Sequence, residues 1–126
     1  MTFLGSFKAA MAGLGIVWRE ERNFRVQCIV GLLVFVAMFV LPLHVSERIA
    51  LLMCIAAVLV LEILNSIVER FVDMVKPRLH AYARVIKDLA AAAVLLVSFV
   101  SVIIACIIFI PYLNTFVVQY SHEIFS

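Results

Sequence analysis

Apolar positions fall in three long runs, and the short stretches between them gather nearly all the charge. No Asp, Glu, Lys or Arg occurs between Arg25 and Glu47, where "VQCIVGLLVFVAMFVLPLHVS" supplies the ~20 apolar residues that a spanning helix needs. The pattern predicts a first span over about 26–43, closing near Pro42. A second span is predicted over about 48–70, apolar apart from Glu62 and Asn65, with its helical period continuing to about Lys76 before Pro77 stops it. A third is predicted over about 87–110, where "LAAAAVLLVSFVSVIIACIIFI" runs up to Pro111 and leaves "YLNTFVVQYSHEIFS" as an interfacial tail. Ahead of the first run, Phe3, Leu4, Phe7, Met11, Leu14 and Val17 or Trp18 recur at roughly helical spacing, which predicts an amphipathic surface helix over about 2–22. The expected fold class is an all-α membrane protein with three transmembrane helices and an N-terminal amphipathic surface helix, in a single domain over 1–126.

Composition agrees with this pattern. Of the 126 residues 67% are hydrophobic and only 14% charged, with a mean hydropathy of +1.21, far from the balance of a soluble domain. So little chain lies outside the apolar runs that any chemistry must happen at or in the bilayer. A net charge of +2 without a basic run interleaved with aromatics excludes a nucleic-acid partner. Cys28, Cys54 and Cys106 lie far apart within apolar runs, without metal-ligand spacing, and are expected to pack or face lipid. The N-terminal segment has neither the uninterrupted apolar region nor the small-residue cleavage site of a secretory signal and is expected to be part of the mature chain. Lys8, Arg19, Arg22 and Arg25, with Arg70, Lys76, Arg78, Arg84 and Lys87, gather on one side of the predicted spans, against Arg48 alone on the other. The N-terminus and the 69–88 connection are therefore expected to face the cytoplasm.

The second run carries the chemistry. In "LVLEILNSIVERFVD" (59–73), Glu62, Asn65, Glu69 and Asp73 fall on one helix face at about 100° per residue, descending from inside the apolar run to its cytoplasmic edge. An ionisable group near the centre of a span costs at least ~2.5 kcal/mol and usually faces a protein interior, a cavity or a partner helix. For Asp73 and Arg70, snorkelling, or pairing of the carboxylates with Arg70, Arg84 or Lys87, accounts for the charge equally well. For Glu62 it does not, since Gln or Leu would serve packing at lower cost. Burial disfavours the charged form of a carboxyl group and makes it a better proton acceptor near neutral pH, so Glu62 is a candidate general base. Glu69 and Asp73 could hold Mg²⁺, a hard cation that favours carboxylate oxygens and bridges to phosphates. In "IKDL", Lys87 offers a point charge for a phosphate and Asp88 another carboxylate, while Glu20 and Glu21 sit where the surface helix meets the first span. There is no GxxxxGK[ST], and Gly13-Leu14-Gly15 is too short a glycine motif to count. Periodicity and spacing leave enzyme, ion pathway and helix glue all standing.

The residues themselves narrow the choice. "EILNSIVERFVD" (62–73) followed by "HAYARVIKDLAAAAVLL" (80–96) resembles the signature region of the small prokaryotic lipid kinases, the family of diacylglycerol kinase and undecaprenol kinase. The likeness extends to "SFKAAMAGL" (6–14), "EERNFRVQ" (20–27) and "IIFIPYL" (107–113), and so covers nearly the whole chain. The resemblance implies a homotrimer with sites shared between neighbouring subunits in the bacterial inner membrane, and a kinase using ATP and Mg²⁺ to phosphorylate a membrane lipid alcohol. It implies that Glu62 is the catalytic base and that Glu21 and Glu69 bind the metal. It places Asn65, Asp73, His80, Lys87 and Asp88 around the ATP phosphates and the base, and Phe24 and Arg25 in the segment approaching the lipid.

Ala9, Ala12, Arg78 and the alanine run 90–93 depart from residues common in the family, which puts the nucleotide contacts at Ala9 and Arg78 in question. His44 and His122 are expected to be solvated. "NFRVQ" and "IIFIPYL" look more like the undecaprenol kinase branch, whereas "EILNS" is shared with the diacylglycerol branch. The alternative from another class is an oligomeric ion or proton pathway lined by Glu62, Glu69 and Asp73, and a further one is a non-catalytic assembly protein.

Overall fold

The computed structural model describes residues 2–79 and 81–126. Among them are four helices, α1 (Phe3–Glu20), α2 (Arg22–Val40), α3 (Val45–Leu79) and α4 (Ala81–Phe125). The last three are long and apolar enough to cross a membrane. At 1.5 Å per residue α2 covers about 28 Å, which matches the hydrocarbon core, whereas α3 at about 52 Å and α4 at about 67 Å must project beyond it. This is an all-helical membrane protein.

Local chemistry sets the helix starts. Thr2 caps α1 by accepting from the Gly5 N–H at 3.1 Å. At the start of α3, Glu47 reaches back to the His44 N–H at 3.0 Å, the reciprocal half of a capping box, and also accepts from the Tyr112 hydroxyl at 2.8 Å. That contact pins α4 to the turn between α2 and α3.

Two helices run further than their prolines predict. α3 continues past Pro77 to Leu79, and α4 passes through Pro111 to Phe125 in place of the expected interfacial tail. A proline in a helix forfeits one backbone hydrogen bond, and the neighbouring turns and side chains can satisfy the freed carbonyl. Beyond the second proline, Thr115 donates to the Pro111 carbonyl at 3.0 Å and Ser121 to that of Val118 at 2.9 Å.

The apolar core is thin. Met38, Leu43, Leu51 and Ile108 form its centre, with Val34, Ile104 and Phe109 packed against them, all toward the α2–α3 turn. Gly31 lets α2 approach α3 closely, since a Cβ at that position would lie 3.2 Å from Ile55 Cγ2. Most large apolar side chains remain exposed, Leu33, Leu95 and Phe99 among them. Lipid tails are as apolar as these residues, so exposure to a bilayer carries no penalty of the kind it would have in water. The alanine run 90–93 is also largely exposed in the single chain.

Candidate functional site

Glu21 alone separates α1 from α2, in an extended conformation with φ −109° and ψ 106°. Two neighbours hold this elbow. The Arg25 guanidinium reaches back to the carbonyls of Trp18 at 2.8 Å and Arg19 at 3.0 Å, satisfying acceptors that the end of α1 leaves without helical partners. Phe24, one residue earlier, is buried. The segment 24–25 thus closes the elbow that presents Glu21 to α3.

On α3 the buried polar residues are Glu62, 7% exposed, and Ser66, 1% exposed, one turn apart. Ser66 Oγ donates to Glu21 Oε1 at 3.1 Å. Arg70, another turn along, bonds Ser66 Oγ and Glu20 and approaches Glu21 Oε1 at 3.5 Å. Asn65 donates through Nδ2 to Glu69 Oε1 at 3.4 Å, while its Oδ1 is buried without a donor. Ser66 thus ties the elbow, through Glu21, to the face of α3 that carries Glu62 one turn away.

Glu62 and Asn65 open into a cavity of about 340 Å³ whose polar lining also includes Asn23, Gln27 and Ser98. Val26, Gln27 and Ser98 are shared with a second, mainly apolar cavity of about 300 Å³ between α2, α3 and α4, walled by Leu51, Ile55 and Val58. A polar compartment thus adjoins a slot fit for hydrocarbon. The Ser98 hydroxyl at their junction is buried without a partner.

Toward the α3–α4 junction, Lys87 Nζ donates to Asp73 Oδ1 at 2.5 Å. Asp73 lies past the predicted span, and the Lys87 hydrogen bond holds its carboxyl below the usual carboxylate range. A more open cavity of about 500 Å³ is lined by Asp73, Lys76, Pro77 and Ala81. Asp88 is exposed beside it in sequence. His80 lies outside the described residues.

Among the described residues no group of three or more His, Cys, Asp and Glu side chains stands in metal-ligand geometry. The donor chemistry nonetheless fits a hard cation. Every hydrogen bond of Glu21 falls on Oε1, which leaves Oε2 uncommitted among the described residues, and on α3 the buried Asn65 Oδ1 lacks a donor. Oxygen acceptors of this kind are satisfied by Mg²⁺ or by a hydroxyl group.

Spacing alone places Glu62, Asn65 and Glu69 on one face and leaves Ser66, Asn23 and Gln27 unmarked. Ser66 did carry a signal, standing four residues from both Glu62 and Arg70, but an isolated serine in an apolar helix is ordinarily read as packing.

Residues 8–109 match the family described as prokaryotic diacylglycerol kinase. The chain is 33% identical over 109 residues to the undecaprenol kinase of Bacillus subtilis (strain 168), covering 86% of this chain and 89% of that protein. It is 35% identical over 116 residues to a diacylglycerol kinase of a Synechocystis species, covering 90% and 66% respectively. With the diacylglycerol kinase of Escherichia coli K12 it shares 34% identity over 96 residues, 76% of this chain and 79% of that one. The chain therefore belongs to the prokaryotic diacylglycerol kinase family of lipid kinases.

Proposed function

We propose that this chain transfers the γ-phosphoryl group of ATP, with Mg²⁺, to the hydroxyl of a membrane lipid alcohol, undecaprenol or diacylglycerol, at the cytoplasmic face of the bacterial inner membrane. The observation that carries the proposal is the buried Glu62, open to a polar cavity that adjoins an apolar slot. A carboxylate at that depth has a functional reason by default, and this one has room beside it for a hydroxyl group.

In this mechanism the lipid hydroxyl enters the polar cavity with its hydrocarbon in the adjoining slot. Glu62 takes the hydroxyl proton as the lipid oxygen attacks the γ-phosphorus. The bond from phosphorus to the ADP oxygen breaks with its electrons remaining on ADP, and the proton later passes from Glu62 to water. Asn65, which lines the same cavity, orients the attacking oxygen by donating to it from its second Nδ2–H, and Phe24 and Arg25 shape the lipid's approach. Glu21 and Glu69 would hold Mg²⁺, which when bound offsets the negative charge of the phosphates. Lys87 exchanges Asp73 for a phosphate oxygen, and Asp88 and His80 serve the same phosphate group.

The kinase acts as one domain over 1–126. α1 lies on the cytoplasmic membrane surface as an amphipathic helix, a placement supported by the exposed Phe3, Leu4 and Phe7. Three copies assemble, burying apolar faces that one chain leaves open. Relatives named for both lipid alcohols lie at similar identity, so both belong in the assay. The purified chain in mixed micelles is given labelled ATP with undecaprenol or diacylglycerol and the lipids are chromatographed. Label in a lipid phosphate is expected, and no label in either lipid would overturn the proposal.

A further inference from the structure

Ser66 is more deeply buried than any other polar side chain among the described residues, and its hydroxyl connects two charged groups. A hydroxyl has one proton to give. Here it goes to Glu21 Oε1 at 3.1 Å, while Arg70 approaches the oxygen and donates to it. Arg70 is itself drawn aside by Glu20, so that it stands 3.5 Å from Glu21, too far for a strong charged hydrogen bond. A fully engaged guanidinium on Glu21 would compete with any cation. Glu20 prevents that engagement, Arg70 fixes the direction of the hydroxyl, and the hydroxyl fixes Glu21 by one oxygen only.

We infer that Ser66 is the positioning residue for Glu21, holding Oε1 so that Oε2 is presented to a divalent cation, with Arg70 orienting the hydroxyl and Glu20 restraining Arg70. The inference rests on the metal role given to Glu21 above. Glu21 occupies a single extended residue between two helices, and without a second point of attachment its carboxylate would sample many rotamers.

The test uses the full chain in detergent with Mn²⁺ alone as the probe, titrated by the electron paramagnetic resonance signal of the free ion. Ser66→Ala is expected to weaken Mn²⁺ binding about tenfold, the loss typical of one hydrogen bond to a charged group. Ser66→Thr, which keeps the hydroxyl, is expected within about twofold of the parent. Glu20→Ala frees Arg70 to engage Glu21 and is expected to give a smaller loss, which keeps the test open if Ser66→Ala fails to fold. Unchanged Mn²⁺ binding in a folded Ser66→Ala chain, with Glu21→Ala weakened, overturns the positioning role and leaves the metal role standing. Unchanged binding in Glu21→Ala as well overturns both, while lipid phosphorylation remains separately measurable.

Discussion

Lys87 and Asp73, fourteen residues apart, meet at 2.5 Å across the junction of α3 and α4. The pair is substantially exposed, with 34% and 59% of the side chains accessible, so its importance lies in where it holds the lysine. Lys87→Ala is expected to reduce turnover about 10²-fold, as when one group stabilising transition-state charge is removed, with no change in helical content. Turnover within about threefold of the parent would remove Lys87 from the phosphate chemistry.

The same pair makes a forecast about pH. The Asp73 carboxyl is held below its ordinary range, so any stability from the pair is fully present above the unfolded value of about 3.9 and is lost as pH falls through the lower folded value. Between about pH 5 and 8 Asp73 does not titrate. The acid limb of the rate profile in that interval is expected to coincide for the parent and Asp73→Asn; a displaced limb in the variant would assign it to Asp73.

Glu62→Gln is expected to keep the fold and lower turnover by about 10² or more, since a positioned general base contributes 10² to 10⁴. The substitution preserves shape at a buried position and removes only the proton acceptor. Near-normal rates in a folded variant would show that the base is elsewhere.

For metal dependence, Glu21→Ala and Glu69→Ala are each expected to raise the Mg²⁺ concentration needed for half-maximal activity by about tenfold or more, through loss of a carboxylate ligand. Glu20→Ala should raise it much less, because Glu20 acts on Arg70 and not on the ion. Exchanged behaviour of Glu20 and Glu21 would mean that the elbow presents the other carboxylate.

The proposed trimer with shared sites predicts partial rescue. Mixing inactive Glu21→Ala and Lys87→Ala chains under conditions of subunit exchange should restore activity to a minority of sites, those assembled from two undamaged halves. Persistent inactivity across all pairings of Glu21, Glu62, Glu69 and Lys87 variants would place each site within one chain.

Packing supplies the last prediction. Gly31→Leu should cost about 1–3 kcal/mol in reversible unfolding by forcing α2 away from Ile55 on α3. An equally stable variant would show that the two helices can separate freely at this level.

What the sequence determined by itself was everything that depends on local periodicity. Runs of apolar residues long enough for a bilayer must become helices there, because a lipid-exposed backbone has no other way to satisfy its polar groups. Glu62, Asn65 and Glu69 share a face because three- and four-residue spacings do so on any helix. Tertiary structure decided which distant residues complete that face. Ser66 and Glu21 are 45 positions apart, and no local pattern states that the α1–α2 elbow packs against this turn of α3. Nor does sequence distinguish Glu21 from Glu20 by chemistry, since the two differ only in which way the elbow turns them, one toward Ser66 and the other toward Arg70. Pro77 and Pro111 make the complementary point: each lowers local helix propensity, yet the surrounding turns carry α3 and α4 through them, because the loss of one hydrogen bond is smaller than the gain from continuing the helix.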